Sequence, residues 1–333
     1  VTQAAVYGSG SWGTAYAAIL ADAGASVMLH GRRAELADRI NAEHVNAEYL
    51  PELRLPETVR ATTDPAEAAA GADLVILAIP AQTLRDNLTD WAGVLPRSAA
   101  VVSLMKGIER GTGLRMSEVI TQVGRVEPER VTVVSGPNLA REIAAKQPAA
   151  SVVACTDIGT AERVAEASAA PYFRPYTQTD VIGTEIGGAV KNVVALAVGM
   201  AEGLGYGDNT KSAIITRGLA ETARLSAALG ADPATLMGLA GVGDLIATCM
   251  SPLSRNHGFG VNLGRGMSLE QVVAATRQTA EGVMSCRSVV ELAHRHGVDV
   301  PICEGVTGVV EQGMDPRGLA EALMSRARKH ERH

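Results

Sequence analysis

No surplus of positive charge marks this chain: 30 Lys and Arg stand against 36 Asp and Glu, for a formal net charge of −6. The arginines are scattered, so the basic footprint that nucleic acid requires is missing. Cysteine is scarce. Cys155, Cys249, Cys286 and Cys303 lie far apart, without the paired spacing or adjacent histidines of a zinc site, which points to reduced structural thiols and no metal. No basic segment or signal-type apolar core accompanies the opening Val1-Thr2-Gln3, and a cytoplasmic protein is expected. A single apolar stretch near membrane-spanning length, 186–205, is broken by Lys191, Asn192, Glu202 and several glycines. A buried helix explains it better than membrane insertion. With 47% hydrophobic and 20% charged residues over 333 positions, the composition is that of a globular protein with room for two domains, and disorder is not the default.

What is present is organised around two features. The first is Gly8-Ser9-Gly10-Ser11-Trp12-Gly13, set between a short apolar run at 4–7 and an alanine-rich stretch that reads as a helix to about residue 22. Strand, glycine turn, helix and a second strand at Ser26–His30 are the setting a dinucleotide fingerprint needs. Gly8 permits the tight turn, Gly10 lets a pyrophosphate approach the backbone, and Gly13 lets helix and strand pack closely. The free amides of the helix start then face the phosphates. Beyond the second strand, where a NAD-specific site usually places an acidic side chain, the sequence has Gly31-Arg32-Arg33. Two guanidinium groups suit the 2′-phosphate of NADP, so NADPH is the expected cofactor, with NADH as the alternative. The plain reading is a solvated arginine pair.

Continuous apolar runs at 73–79, 100–104, 131–135 and 150–155 have the form of buried parallel strands, separated by helical segments such as 82–93 and 113–124. The expected fold class is α/β: an N-terminal Rossmann-type parallel-sheet domain over 1–183, followed by an all-helical C-terminal domain over 184–333. In the second domain strand signals stop, and helices are expected over 210–229, 233–239, 269–277, 284–296 and 316–330. Ligands of such sheets gather beyond the carboxyl ends of the strands. Lys106, just past 100–104, is placed to meet a substrate anion or carbonyl, and the Gly136 turn leaves room beside it.

The second feature is Lys191, set in small and aliphatic residues from 183 to 200. A lysine desolvated in this way loses basicity and can exchange protons near neutral pH, which suits a general acid or base. A lysine snorkelling at a domain boundary is the plain alternative. Asp244 stands in the glycine-rich Gly241-Val242-Gly243-Asp244-Leu245, either as a site carboxylate or as a helix cap. Ser254-Arg255-Asn256 groups hydroxyl, guanidinium and amide donors that suit a phosphate, or it forms a surface turn. Glu281 either caps a helix or reaches the cofactor across the cleft.

These stretches, with Lys106-Gly107, Gly136-Pro137, Gly188-Ala189-Val190-Lys191-Asn192 and Glu281-Gly282, resemble the bacterial NAD(P)-dependent glycerol-3-phosphate dehydrogenases over nearly the whole chain. The resemblance implies reversible hydride transfer from NAD(P)H to dihydroxyacetone phosphate, giving sn-glycerol 3-phosphate for phospholipid synthesis. It implies that Lys191 is the catalytic acid/base, aided by Lys106 and Asp244, and that Gly136, Asn138, Ser254, Arg255 and Asn256 join them in binding substrate. It also implies that Ser11, Trp12, Arg32, Arg33, Tyr49, Lys106, Ala140, Arg255, Thr279 and Glu281 touch the cofactor beside the three loop glycines. One departure is Asn138-Leu139, where the family commonly has Ser-Phe. Asn138 still exchanges hydrogen bonds, but the missing aromatic changes the pocket wall.

Two rivals differ in what they leave unexplained. An NADPH-dependent reductase of a small hydroxy or keto acid does not need all of Ser254, Arg255 and Asn256. A non-catalytic NADPH-binding redox sensor leaves Lys106, Lys191 and Asp244 without a task. The apolar second domain is compatible with a homodimer.

Overall fold

The structure is a computed structural model and describes residues 1–91, 93–276 and 280–325. The first half alternates strand and helix: β1 (Gln3–Tyr7), α1 (Ser11–Asp22), β2 (Ser26–His30), α2 (Ala34–Glu43), β3 (Val45–Asn46), β4 (Leu50–Arg54), β5 (Val59–Thr62) and α3 (Pro65–Ala69). It continues through β6 (Leu74–Leu77), α4 (Leu84–Trp91), β7 (Ala100–Ser103), α5 (Met116–Gly124), β8 (Val131–Ser135), α6 (Ala140–Ala144), β9 (Ala149–Ala154), α7 (Ile158–Ala167) and β10 (Phe173–Gln178). Eight strands form one sheet in the order β10-β9-β8-β7-β6-β1-β2-β5, while β3 and β4 make a separate hairpin. From β1 the chain moves to β2 on one side, and β6 pairs on the other. That change of direction opens a crevice at the carboxyl ends of the strands, where Gly8 to Gly13 lie.

The expected parallel sheet holds for six strands and needs correction for two. β9 pairs antiparallel with β8, in a register that sets Val134 opposite Val153, and β10 runs parallel to β9. The link from β8 to β9 contains only the five-residue α6, which does not carry the chain back along the sheet, so β9 returns beside β8 in the opposite sense. A continuous apolar run marks a strand buried on both faces but not its direction.

The second half is helical: α8 (Val181–Gly203), α9 (Asp208–Ala228), α10 (Asp244–Met250), α11 (Arg255–Gly264), α12 (Leu269–Ala275), α13 (Glu281–Arg295), α14 (Pro301–Gln312) and α15 (Pro316–Met324). Among the described residues no strand follows β10. The expected helix over 233–239 is a 3-10 turn at Pro233–Met237 followed by a π-type turn at Leu239–Gly243, and the end of the one expected over 316–330 lies outside the described residues. The division expected at 184 falls in the first turn of α8, which Asp180 caps by accepting from the Gly183 amide at 2.9 Å.

α8 is the axis of this half. It is long and apolar enough to cross a membrane by length and composition, yet 94% of its most apolar window is buried inside the protein. Its small residues serve close packing against α11. A Cβ on Gly199 would stand 2.1 Å from the His257 carbonyl oxygen, and one on Gly260 2.3 Å from that of Leu196. The two helices therefore touch backbone to backbone, and the aliphatic side chains around the contact form the helical core. The four cysteines are all free and buried.

Candidate active site

Lys191 projects from the middle of α8 and is only 8% exposed. Its Nζ donates to Asp244 Oδ1 at 2.7 Å and to Thr248 Oγ1 at 2.6 Å. Lys106, beyond the end of β7, donates to Asp244 Oδ2 at 2.5 Å and to the Gly136 carbonyl at 3.0 Å. Asp244 thus lies between the two lysines, one carboxylate oxygen to each; the sequence had suggested a site carboxylate or a helix cap. The Thr248 hydroxyl, one turn further along α10, donates back to Asp244 Oδ1 at 3.2 Å. Two ammonium groups share one buried carboxylate, which leaves the site with a surplus positive charge. Burial pushes the Lys106 ammonium down to about 8, against the opposing pull of Asp244 and with a smaller push from Lys191. Gly188 makes the arrangement possible: a Cβ there would stand 2.9 Å from Ser135 Oγ and 3.4 Å from Lys106 Cγ, so α8 presses directly on the end of β8 and on the Lys106 stem.

Gly136, at φ +147°, has no room for a side chain against Ser151, whose Cα would lie 3.1 Å from a Cβ. Asn138 donates to Ser151 Oγ at 3.1 Å, and that hydroxyl donates to the Ser135 carbonyl at 2.9 Å. The Asn138 side-chain oxygen Oδ1 is buried without a partner among the described residues, an acceptor available to a substrate hydroxyl.

Ser254-Arg255-Asn256 is not a surface turn. Ser254 is the N-cap of α11 and accepts from the His257 amide at 3.2 Å, so the trio forms the start of a helix whose free amides favour an anion. Ser254 and Asn256 are buried, and Arg255 is exposed. Asn256 donates to Asn192 Oδ1 at 3.0 Å and accepts from the Gly282 amide at 2.8 Å, which ties α11 and α13 to the residue next to Lys191.

At the other end of the crevice the three loop glycines take separate parts. Gly8 has φ +119°, and a Cβ would stand 2.4 Å from the Ala78 oxygen; one on Gly13 would stand 1.9 Å from the Gly8 oxygen. A Cβ on Gly10 meets nothing within 4 Å, so this residue faces open space. Gly10 is also the N-cap of α1 and offers no side-chain cap, which leaves the first amides of the helix, at Ser11, Trp12 and Gly13, for another acceptor. The buried Trp12 indole nitrogen likewise has no partner. These features fit a dinucleotide pyrophosphate.

Ser9, Leu29, Gly31, Arg33, Leu36 and Ala61 line a narrow crevice at the end of β2, beside the glycine turn. Arg33 pairs with Glu48 at 2.6 Å with both side chains about half exposed, and Arg32 is exposed without an ion pair among the described residues. Tyr49, beside Glu48, and Ala140, at the start of α6, both pack partly buried against the N-terminal core. Thr279 lies outside the described residues. Glu281 begins α13, and its Oε2 lies 3.9 Å from the position a Cβ on Gly107 would take, beside the Lys106 segment. Burial raises its carboxyl, opposed by Arg255 and by the Ala81 backbone.

Sequence reading gave no role to Thr248, Asn192 or Asn46. Thr248 was signalled by its spacing of four from Asp244 on one helix, and Asn192 by its place beside Lys191. For Asn46, which donates to the Ser9 carbonyl and to Thr14 Oγ1, both at 2.9 Å, and so ties the β3 hairpin to the glycine loop, no local signal exists.

A glycine turn that presents free amides at the switch of a Rossmann-type sheet, facing a lysine-carboxylate-lysine set supplied partly by a helical domain, defines a two-domain dinucleotide-dependent oxidoreductase. Comparison with known proteins narrows this class. The chain belongs to the NAD-dependent glycerol-3-phosphate dehydrogenase family: the model of the family's N-terminus matches residues 3–161 and that of its C-terminus residues 180–321. It is 60% identical over 330 residues to the glycerol-3-phosphate dehydrogenase (NAD(P)+) of Streptomyces avermitilis, covering 99% of this chain and 98% of that one. Identity to the enzyme of the same name from Thermobifida fusca is 59% over 334 residues, covering 100% and 99%. The crystal structure of glycerol-3-phosphate dehydrogenase from Coxiella burnetii superposes with a TM-score of 0.92 at 35% identity, covering 98% of this chain and 99% of that one. The family resemblance visible in the sequence is borne out.

Proposed function

We propose that this enzyme interconverts dihydroxyacetone phosphate and sn-glycerol 3-phosphate with NAD(P)H, and that Lys191, Lys106 and Asp244 carry the proton chemistry. The observation that carries the assignment of roles is the buried pair of ammonium groups sharing Asp244 at the carboxyl end of the sheet. Such a site favours developing negative charge on a carbonyl oxygen. Bound NAD(P)H supplies hydride to the carbonyl carbon of the substrate. Lys191, held by Asp244 and Thr248, donates a proton to the forming alkoxide, and in the reverse direction removes it from the hydroxyl. Lys106 adds positive charge beside the same oxygen, while Asp244 orients both lysines. The α11 N-terminus with Ser254 and Arg255 binds the phosphate, and binding energy gained there orients the distant reacting carbon. Asn256 supports that turn through its bonds to Asn192 and Gly282. Gly136 and Asn138 line the substrate side.

Gly8 to Gly13, with Trp12, Tyr49, Ala140 and Glu281, would hold the dinucleotide, and Thr279 is assigned to it by family resemblance. Arg32 and Arg33 receive a 2′-phosphate, so NADPH is the preferred form and NADH is accepted. In this division of labour residues 1–183 hold the cofactor and 184–333 supply most of the substrate contacts. The burial of α8 within the helical half supports a core helix over a membrane span, and the place of action assigned here is the cytoplasm, where glycerol 3-phosphate feeds phospholipid synthesis. Exposed Met237, Ile246, Met250 and Leu253 in the helical half support a homodimer, which the mass in solution tests.

Initial rates of NADPH oxidation test the substrate assignment. Removing the phosphate, as in dihydroxyacetone, is expected to lower kcat/KM by about 10²-fold or more. Reduction of ketopantoate as fast as that of dihydroxyacetone phosphate would overturn the assignment in favour of a keto-acid reductase.

A further inference from the structure

The segment between β7 and α5 starts with the residues leading to Lys106 and then folds back on itself. The Glu109 amide donates to the Leu114 carbonyl at 2.9 Å and the Gly113 amide to the Glu109 carbonyl at 3.0 Å, which leaves Arg110-Gly111-Thr112-Gly113 as a tip. Its own domain grips the base of this tip. Gln82 donates to the Ile108 carbonyl and accepts from the Arg110 amide, both at 2.9 Å. The Glu109 carboxylate receives two N–H groups of Arg85, at 2.9 and 2.8 Å, and the Thr112 hydroxyl at 2.5 Å.

The tip itself is held by the helical domain. Arg110 Nε donates to the Met284 carbonyl, in the first turn of α13, at 2.8 Å. Arg295, the last residue of α13, donates through Nη1 to the Thr112 carbonyl at 2.7 Å. The two bonds cross the seam in opposite directions and are anchored on α13 at Met284 and Arg295, roughly 16 Å apart along the helix axis. Gly113 is fitted to the second of them: a Cβ there would stand 2.1 Å from Arg295 Nη2.

Apolar packing holds the base of this segment, where Ile108 is fully buried in the helical core beside Cys286 and Val289 of α13, but it does not extend to the tip. The hydroxyls of Ser285 and Ser288, on the face of α13 turned to the segment, are buried without partners. A cleft of about 230 Å³, lined by Arg110, Gly111, Arg287, Ser288, Glu291 and Glu311, opens beside them. Yet both sides of the seam end in the active site. Lys106 precedes Gly107, whose Cβ position lies 3.0 Å from Ser285 Oγ and 3.9 Å from Glu281 Oε2, and Glu281 begins α13.

We propose that Arg110 and Arg295 are positioning residues for hydride transfer: a two-point latch that fixes the Lys106 segment against α13 and so sets Lys106 relative to Glu281 across the domain cleft. Neither arginine touches Lys106, Lys191 or Asp244. The inference rests on the role given to Lys106 above.

The test uses the full chain with NADPH and dihydroxyacetone phosphate, measured as kcat and KM against pH beside a thermal melt. Arg295→Met is expected to lower kcat/KM by about tenfold or more, mostly in kcat, the scale of a misplaced catalytic group. Its alkaline limb should move up as Lys106 loses burial. The charged groups facing Lys106, Asp244 from α10 and Lys191 from α8, are unchanged in this variant. Arg295→Lys should recover part of the loss, because an ammonium can reach the same carbonyl. Gly113→Ala, which displaces the guanidinium without deleting it, should reproduce the defect.

Kinetics within about twofold of the parent in both Arg295→Met and Arg110→Met, with an unmoved pH limb, overturn the latch, the factor being small beside the effect of misplacement. A lowered melting temperature with parental kinetics overturns it equally. Should Arg295→Met fail to fold, Arg110→Met decides by the same criterion. Failure of the parent to reduce dihydroxyacetone phosphate is a separate result, visible before any variant is made, and removes the functional assignment together with the latch.

Discussion

Asp244→Asn preserves side-chain volume and removes the carboxylate shared by Lys106 and Lys191. In the parent, Asp244 accepts three hydrogen bonds, at 2.7 and 3.2 Å on Oδ1 and at 2.5 Å on Oδ2, in a site from which water is almost excluded. An amide can still accept from one ammonium, but its NH2 group then faces the other. Breaking a buried ion pair by removing one partner costs about 3–5 kcal/mol, because a charge is left uncompensated. The folded protein limits that cost by releasing a proton. Lys106 is the group to release it, since burial already holds it at about 8 and Asp244 is its largest opposing influence. Loss of about 1.5–3 kcal/mol of charge-assisted bonding corresponds to a fall of roughly one to two pH units. The predicted result is a kcat/KM lowered by about 10²-fold or more at neutral pH, with an alkaline limb about one unit or more below that of the parent. Initial rates of NADPH oxidation from pH 6 to 9, with a melt to verify folding, are the assay, over roughly the range in which such a lysine titrates. A folded Asp244→Asn enzyme with the parental limb and kcat/KM within about threefold would refute the shared-carboxylate reasoning, since loss of general acid-base function is larger than that.

Arg33→Ala should raise KM for NADPH by about 10- to 10²-fold, the scale of a charge-assisted hydrogen bond, while KM for NADH changes little; an unchanged ratio of the two contradicts the phosphate assignment. Gly10→Ala, whose added methyl meets no protein atom, should melt like the parent but bind NADPH weakly, whereas Gly13→Ala, whose methyl would stand 1.9 Å from the Gly8 oxygen, should lose stability. Equal melting losses in both contradict that division. The folded state holds Lys106 at about 8 against 10.5. The unfolded chain therefore binds more protons between those values, and stability rises with pH across that window by on the order of 3 kcal/mol. Lys106→Met should flatten this slope in urea unfolding measured from pH 8 to 10.5, where the folded and unfolded chains are predicted to differ in protonation by about one proton. The same slope in parent and variant contradicts the shift.

Local features were legible in the sequence to the extent that they are set by neighbours along the chain. The turn from Gly8 to Gly13 declares itself because strand, glycines and helix are contiguous, and the buried helix around Lys191 because its small and aliphatic residues surround one cation. Asp244 and the Ser254 trio were legible as candidates, but their geometry was not. That Asp244 lies between two lysines depends on residues 53 and 138 positions away, and that Asn256 ties Asn192 to Gly282 depends on three helices meeting. The reversed β9 shows the same limit, since burial on both faces erases the pattern that would report direction. α14 was not anticipated, although Pro301 at its start and the left-handed Gly313 at its end are the usual boundary signals; its apolar face emerges only when packed on α13 and α8.

The most direct test of the account is the turnover of Lys191→Ala with NADPH and dihydroxyacetone phosphate, with the dissociation constant for NADPH measured on the same preparation. A fall in kcat of about 10²-fold or more, with cofactor binding close to that of the parent, is predicted for loss of the group that donates the proton to the alkoxide. A Lys191→Ala enzyme that binds NADPH and turns over at nearly the parental kcat would contradict the central claim.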